Sequence, residues 1–269
     1  MLPDALNASA TRLARWREMN VWVGTAGWSI AREAADRFPA EGSSLTRYAE
    51  RFAAVEINSS FRRPHLEKTW ARWRDEVPRD FRFSVKIPKE ISHQRKLVGC
   101  DEALASFARQ VTHLREKLGV LLLQLPPKLE FELALAEAFL SRLSGLALAS
   151  LACEPRHSSW FSEPATQLLT RYKVARVGAD PDVTGLGASP GAWGGLEYWR
   201  LHGSPKVYRS SYADRIPTIA QTVKINEPEF GSWCIFDNTA SSAATSDALA
   251  LVGTLNAEPV HSCKREVSV

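Results

Sequence analysis

Cysteine is scarce in this chain of 269 residues: Cys100, Cys153, Cys234 and Cys263 stand far apart and form no CxxC pair. Neither a zinc knuckle nor a disulfide framework is indicated, and a reducing cytoplasm is the expected compartment. Long apolar runs are missing too. No segment approaches the ~18 apolar residues of a membrane span, and MLPDALNASATRLARWREMN at the start lacks the uninterrupted apolar core of a signal peptide. Arginines at helical spacing there fit a surface helix over the first strand better than a transit peptide. Charge of one sign is not in excess: 34 Lys and Arg face 30 Asp and Glu, and a net +4 is too small for a dedicated polyanion binder. Nucleic acid is therefore weakly supported as a partner, and a membrane is not expected. GxGxxG, GxxxxGKS/T, HxH and HExxH are all absent, which removes the usual support for nucleotide and zinc-peptidase assignments.

What is present is an ordinary globular composition, 45% hydrophobic and 24% charged with 15 Gly and 15 Pro. Short β-rich runs bounded by small or polar residues occur at 21–27, 52–58, 82–87 and 120–125. The second half repeats them at 149–154, 174–180, 196–203 and 232–238. Their starts recur about every 30 residues, room for one strand and one helix each. Between them lie helical patterns such as DEALASFARQVTHLREKL, where Leu104, Phe107, Val111, Leu114 and Leu118 form one stripe that needs a sheet to cover. Thr239 or Ser241 is the expected cap of the last helix.

Eight such alternations without a Gly/Pro/Ser-rich linker predict an α/β fold: a single (β/α)8 TIM-like barrel over 21–256. An open doubly wound sheet is the alternative. An arm (1–20) would precede the barrel and a short tail (257–269) would follow it. The sixth βα unit should be irregular, because PDVTGLGASPGAWGG is Gly-rich with little helical period and reads as a long loop.

In a barrel of this kind, chemistry gathers at the C-terminal ends of the strands. Glu56 and Asn58 share parity there, as do Arg200 and His202. Lys86, Gln124, Glu154 with Arg156 and His157, Asp180, and Asp237 with Asn238 stand at the other ends. A charged residue at a strand end is often only a solvated terminus. Glu56, Lys86, Glu154 and Arg200 have strongly β-forming neighbours, so burial would demand partners: either a structural ion-pair network or a polar site for a charged substrate. Trp28, Phe61, Trp160, Tyr208 and Tyr212 follow strands and could rim one opening, where rings stack on sugars or bases.

The segments VGTAGWS (23–29), VEINSSFRRP (55–64), FSVKIPKEISH (83–93), LLLQLPPKLEF (122–131), CEPRHSSWF (153–161), RLHGSPKVYRSSY (200–212) and FDNTASSAA (236–244) together resemble the DUF72, or YecE-like, family. The resemblance implies a TIM-barrel-like fold with a pocket at the C-terminal mouth. It also implies polar positions at Glu56, Asn58, Lys86, Glu154, Arg156, His157, Arg200, His202, Tyr208, Tyr212 and Asn238. It brings no reaction with it. Two departures stand out: Arg62 replaces an aromatic residue of the family pattern, and Asp237-Asn238 replaces Asn-Asn.

The leading expectation is an enzyme acting on a small polar or anionic molecule, phosphorylated, carboxylated or sugar-like. Lys86, Arg156 and Arg200 would hold the anion. Glu154 or Glu56 would be the general base and His202 the acid, and Lys86 belongs to the same catalytic set. A glycosidase-like version would pair Glu56 with Glu154. Asn58, His157, Trp28, Trp160, Tyr208, Tyr212 and Asn238 would complete the binding surface. No cofactor is predicted. A divalent-metal alternative, an isomerase or phosphodiesterase-like barrel, would use Glu154, Asp180, His202 and Asp237. The non-catalytic alternative is a nucleic-acid or protein binding module.

Overall fold

A computed structural model describes residues 20–224, 226 and 228–257. The expected N-terminal arm and C-terminal tail, Cys263 included, lie outside the described residues apart from Asn20 and Ala257. The strands are β1 (Val21–Thr25), β2 (Ala54–Ile57), β3 (Arg82–Lys86), β4 (Leu118–Gln124), β5 (Ser150–Glu154), β6 (Val174–Arg176), β7 (Gly178–Asp180), β8 (Gly191–Ala192), β9 (Glu197–Leu201) and β10 (Ser232–Phe236). The α-helices are α1 (Ser44–Ala49), α2 (Glu67–Asp75), α3 (Asp101–Val111), α4 (Leu133–Gly145), α5 (Glu163–Arg171), α6 (Ile216–Thr222) and α7 (Ala243–Ala257). This is an α/β fold with parallel-rich sheets.

One sheet has the order β2-β3-β4-β5-β6-β8 and the other β1-β10-β9-β7. All pairings are parallel except β8 on β6. The segment expected as a single sixth strand serves both sheets. Its first part pairs with β5 as far as Arg176 opposite Cys153, Val177 N–H donates to the Cys153 carbonyl at 2.8 Å, and Gly178 then begins the pairing with β9. Between β1 and β2 the contact is narrower. Ala26 bridges Glu56, and Gly27 N–H donates to the Glu56 carbonyl at 2.8 Å. Just below that bridge, the Tyr48 hydroxyl donates to the Ala54 carbonyl (3.0 Å) and accepts from Thr25 N–H (2.9 Å), satisfying backbone groups the short pairing leaves over. Gly24 permits the approach, since a Cβ there would stand 2.2 Å from the Ala54 carbonyl oxygen.

Three expectations change. The α3 stripe buries Leu104, Phe107, Val111 and Leu114, but Leu118 is not part of it. The helix tightens to 3-10 geometry over Thr112–Lys117, Arg115 takes a φ of 52°, and Leu118 opens β4. Neither Thr239 nor Ser241 caps α7, because they form a separate 3-10 turn closed by left-handed Ser242. The Gly-rich 181–195 segment holds no helix, as expected, but it is not all loop. Asp182 folds its first part by accepting from the N–H groups of Thr184 and Gly187, and β8 then runs antiparallel to β6.

Strand parity sorts the side chains into two populations. One face of the sheets packs under the helices in the large apolar core, from Val23, Val55 and Phe83 to Cys234 and Phe236. The opposite face carries a smaller apolar cluster: Ala54, Val120, Leu122, Ala152, Ala175, Val177, Tyr198, Trp233 and Ile235, with Trp22 stacked on Trp233. Continuing along that second face toward the C-terminal strand ends, Glu56, Ser84, Lys86, Gln124, Glu154, Arg200 and His202 follow at the same parity, all buried. The strands thus lift a polar layer onto an apolar floor.

Candidate functional site

Arg200 is the centre of that layer and is fully buried. Its Nε and Nη2 donate to the two carboxylate oxygens of Glu56 at 3.0 and 2.8 Å. Nη1 donates to Glu154 Oε2 at 2.6 Å, and Nη2 also to Asp237 Oδ2 at 3.0 Å. One planar fork therefore joins carboxylates from β2, β5 and the end of β10. Glu56 has a further partner in the Tyr198 hydroxyl at 3.0 Å, which also bonds Ser84 Oγ at 2.7 Å.

Glu154 is saturated. Its Oε2 accepts from Arg200 and from Gln124 Nε2 (3.0 Å), while Oε1 accepts from Arg156 Nε and Nη2 (3.2 and 3.1 Å) and lies 3.1 Å from His202 Nε2. Burial pushes its pKa up, but Arg200, His202 and Arg156 override this and hold the carboxyl well below the usual range. Asp237 is likewise lowered by Arg200 and His202 against burial. His202 bridges the two acids, with Nδ1 3.0 Å from Asp237 Oδ2. Burial disfavours its charge, yet Glu154 and Asp237 raise its pKa, and each ring nitrogen faces a carboxylate, an arrangement that favours the imidazolium form.

Lys86 differs from every member of this network. It is 6% exposed, and among the described residues its Nζ makes no hydrogen bond and has no carboxylate oxygen within 4 Å; it sits 4.2 Å from the centre of the Phe61 ring. Desolvation and the nearby Arg200 charge bring its pKa down to about 8. His93 packs edge-on to the same Phe61 ring at 5.0 Å, and its pKa is lowered by burial, Lys86 and Arg156. Arg156 keeps 22% of its side chain exposed. Burial lowers its pKa, but Glu154 and the nearby Tyr208 phenol raise it on balance. Tyr208, 41% exposed, packs edge-on to His202 at 5.9 Å.

Of the expected residues, Glu56, Lys86, Glu154, Arg156, Arg200, His202 and Tyr208 come together, with Asp237 added from the metal alternative. The expected aromatic rim assembles only in part: Phe61 and Tyr208 reach the site, and the other three do not. Trp160 is buried, and its indole donates to the Leu129 carbonyl at 2.9 Å. Tyr212 is buried as a latch: its hydroxyl donates to the Asp180 carbonyl (2.7 Å) and accepts from Gly203 N–H (2.9 Å). Trp28 packs edge-on to Trp73 of α2. His157 caps the Ser158–Phe161 turn by accepting from Ser159 N–H. Asn238 ties the end of β10 to the Ser210 carbonyl and to Asp247 of α7. Asn58, partly buried, follows β2, and no described residue hydrogen-bonds its side chain.

Of the four-residue metal set, Glu154, His202 and Asp237 meet, but Asp180 does not join them. The Asp180 carboxylate turns to Arg215 at 2.5 Å, and among the described residues no three His, Cys, Asp or Glu side chains form a group suited to a metal ion. Cation-binding oxygens at Glu56, Glu154 and Asp237 already face Arg200. Sequence reasoning missed Ser84, His93, Tyr198 and Asp247. Ser84 and Tyr198 had a usable signal, since each lies two positions before a polar residue of the same face. Asp247, alone in the apolar run ATSDALALV, was a second.

A parallel-rich α/β scaffold with a buried ion network at its C-terminal strand ends defines the class. The chain belongs to the family described as "Protein of unknown function DUF72", whose profile matches residues 22–267. Among curated relatives, UPF0759 protein YecE of Escherichia coli (strain K12) is 34% identical over 122 residues, 45% of this chain and 44% of that protein. UPF0759 protein YunF of Bacillus subtilis (strain 168) is 27% identical over 152 residues, 54% of this chain and 53% of that protein. The chain thus spans about half the length of the curated relatives it matches. Two solved structures share the fold. A DUF72 family protein of Enterococcus faecalis V583 superposes with a TM-score of 0.73 at 19% identity, covering 89% of this chain and 96% of that one. Another, of Thermotoga maritima MSB8, gives 0.70 at 23%, covering 87% and 98%.

Proposed function

We propose that this chain is an enzyme that binds a small anionic metabolite at the C-terminal mouth of a single (β/α)8-type barrel. Support for the barrel comes from the two places where the sheets meet: the Ala26–Glu56 bridge, and the β6–β7 segment that leaves one sheet and enters the other. The apolar second face is then the barrel's filled interior and the polar layer its upper floor.

The observation that carries the functional reading is the ammonium of Lys86, without a hydrogen-bonding partner among the described residues, together with the partly exposed Arg156, whose charge acts on the same His93 ring. Lys86, Arg156, Arg200 and imidazolium His202 bring four positive charges against the three carboxylates Glu56, Glu154 and Asp237. The unmatched cation is therefore the one at Lys86, and a carboxylate or phosphate placed there would complete the balance. The same geometry shifts the assignment of proton transfer. Glu56 and Glu154 have their oxygens occupied by donors, and His202 has both nitrogens engaged, so these three set the field. Lys86, close to neutrality, exchanges the proton.

Thermal unfolding in millimolar phosphate, pyruvate and glycerol phosphate tests this reading. At least one anion is expected to raise the melting temperature of the wild-type protein, by up to about 2.7 kcal/mol of stabilisation at a hundredfold excess over Kd. Arg156→Ala should lose the effect. Failure of all three anions to stabilise the wild type overturns the proposal.

A further inference from the structure

Two lysines are buried among the described residues, and they are buried differently. Lys117 spends its ammonium on two backbone carbonyls, those of Arg74 and Val77, each at 2.6 Å. A hydrogen-bonded lysine of that kind is a structural tie. Lys86 has no such acceptor among the described residues, and its Nζ rests on the face of Phe61. Its amine is close to the Arg200 guanidinium, whose positive charge disfavours a second cation. Desolvation together with a neighbouring cation is the environment that turns a lysine into a nucleophile toward carbonyl carbon.

The partners needed for that chemistry are placed around it. His93, on the π-type turn after β3, shares the Phe61 ring with Lys86; burial and the two nearby cations favour its neutral form. Its Nδ1 is bonded to Ser92 Oγ at 2.9 Å, which leaves the other ring nitrogen to relay protons. Arg156, with Tyr208 against it, supplies a cation at the open side.

We propose that Lys86 captures the carbonyl group of a small keto or aldehyde compound that also carries a carboxylate or phosphate, forming an imine, with Arg156 holding the anionic end. The proposal rests on the anion site described above and adds the covalent step. The neutral Lys86 nitrogen donates its lone pair to the carbonyl carbon while the C=O π pair moves to oxygen. His93 relays a proton from nitrogen to that oxygen to give a carbinolamine. A second proton to the hydroxyl lets it leave as water while the nitrogen lone pair forms the C=N bond, which gives a protonated imine. That positive nitrogen can then accept the electron pair from a bond broken at the adjacent carbon, so proton removal or carbon–carbon cleavage there is the reaction class it serves.

The test is reductive trapping in the full chain. Pyruvate, glyoxylate and glyceraldehyde 3-phosphate are each added with cyanoborohydride near pH 7.5, and adducts are located by peptide mass spectrometry. At this pH the free-amine fraction of Lys86 exceeds that of an ordinary lysine by roughly two orders of magnitude, partly offset by its lower nucleophilicity. Labelling at Lys86 roughly tenfold above any other lysine is therefore expected with at least one probe, with Lys117 silent and inorganic phosphate protecting. Lys86→Met should abolish the dominant adduct; within the wild type, the Lys86 to Lys117 ratio gives the same answer without a variant. Labelling spread evenly over surface lysines, or no Lys86 adduct with all three probes, overturns the imine. If phosphate still raises the melting temperature in that case, the anion site survives and only the covalent step falls. A Lys86 adduct formed without any stabilisation by phosphate, pyruvate or glycerol phosphate would uphold the imine and overturn the anion site instead.

Discussion

Replacing Arg200 with Met probes whether one buried guanidinium holds the polar layer together. The side chain is fully buried and makes four charge-assisted bonds to Glu56, Glu154 and Asp237. Removing one partner of a buried ion pair costs about 3–5 kcal/mol, because the other charge is left uncompensated. Here three carboxylates lose the same cation, while Met restores part of the volume and apolar burial. A net loss of about 4 kcal/mol at pH 7 is therefore expected, a large share of the roughly 5–15 kcal/mol that keeps a domain folded. The measurement is urea unfolding followed by circular dichroism at pH 7 and again near pH 4. In the wild type, Glu154 and Asp237 have folded pKa values below their unfolded ones. Their contribution is thus present above the unfolded carboxylate pKa and is lost as pH falls through the folded values. In the variant, burial acts without the cation, and protonating the carboxylates relieves the charge, so the deficit should shrink on acidification. A loss under about 1 kcal/mol, the range of an exposed pair, or a deficit that is unchanged between the two pH values would refute the reasoning.

His202 carries the opposite sign. Its folded pKa lies above the unfolded value, so its stabilisation is complete below about pH 6.5 and fades as pH rises through the folded value. The stability gap between wild type and His202→Gln should accordingly narrow in alkali, and nitrogen NMR at pH 7 should find both ring nitrogens protonated; a neutral tautomer there would contradict the bridge. Tyr212→Phe removes a hydroxyl that serves the Asp180 carbonyl and Gly203 N–H. A destabilisation of about 1–3 kcal/mol in urea with anion-induced stabilisation retained is expected, whereas lost anion binding at unchanged stability would place Tyr212 in the opening after all.

Periodicity made most of the scaffold legible. The run VLLLQL reads as a strand buried on both faces, and β4 is one. Parity carried further still, because Arg200 and His202 cannot point to opposite sides of one strand. Where the reading failed, the deciding interaction joined distant parts of the chain. Leu118 continues a helical stripe in sequence, but Arg115 turns the chain and Lys117 anchors it to the carbonyls of Arg74 and Val77. Trp160 and Tyr212 follow strands as rim residues would, yet their polar tips find the carbonyls of Leu129 and Asp180 inside the protein. An aromatic ring with a buried partner for its donor is as stable inward as outward, and nothing in the neighbouring residues distinguishes the two.

The amino-acid sequence by itself determined the alternation of strands and helices and which residues share a face, because both follow from dihedral periods of the backbone. It also determined the set of charged groups delivered to the strand ends. Only the tertiary structure decided how those charges pair. Glu56, Glu154 and Asp237 come from three strands or strand ends and meet at one guanidinium, which leaves Lys86 on Phe61 without an ion-pair partner among the described residues. Electrostatic pairing falls off with distance and depends on local dielectric. It is therefore a property of separations and burial, which no single stretch of chain contains.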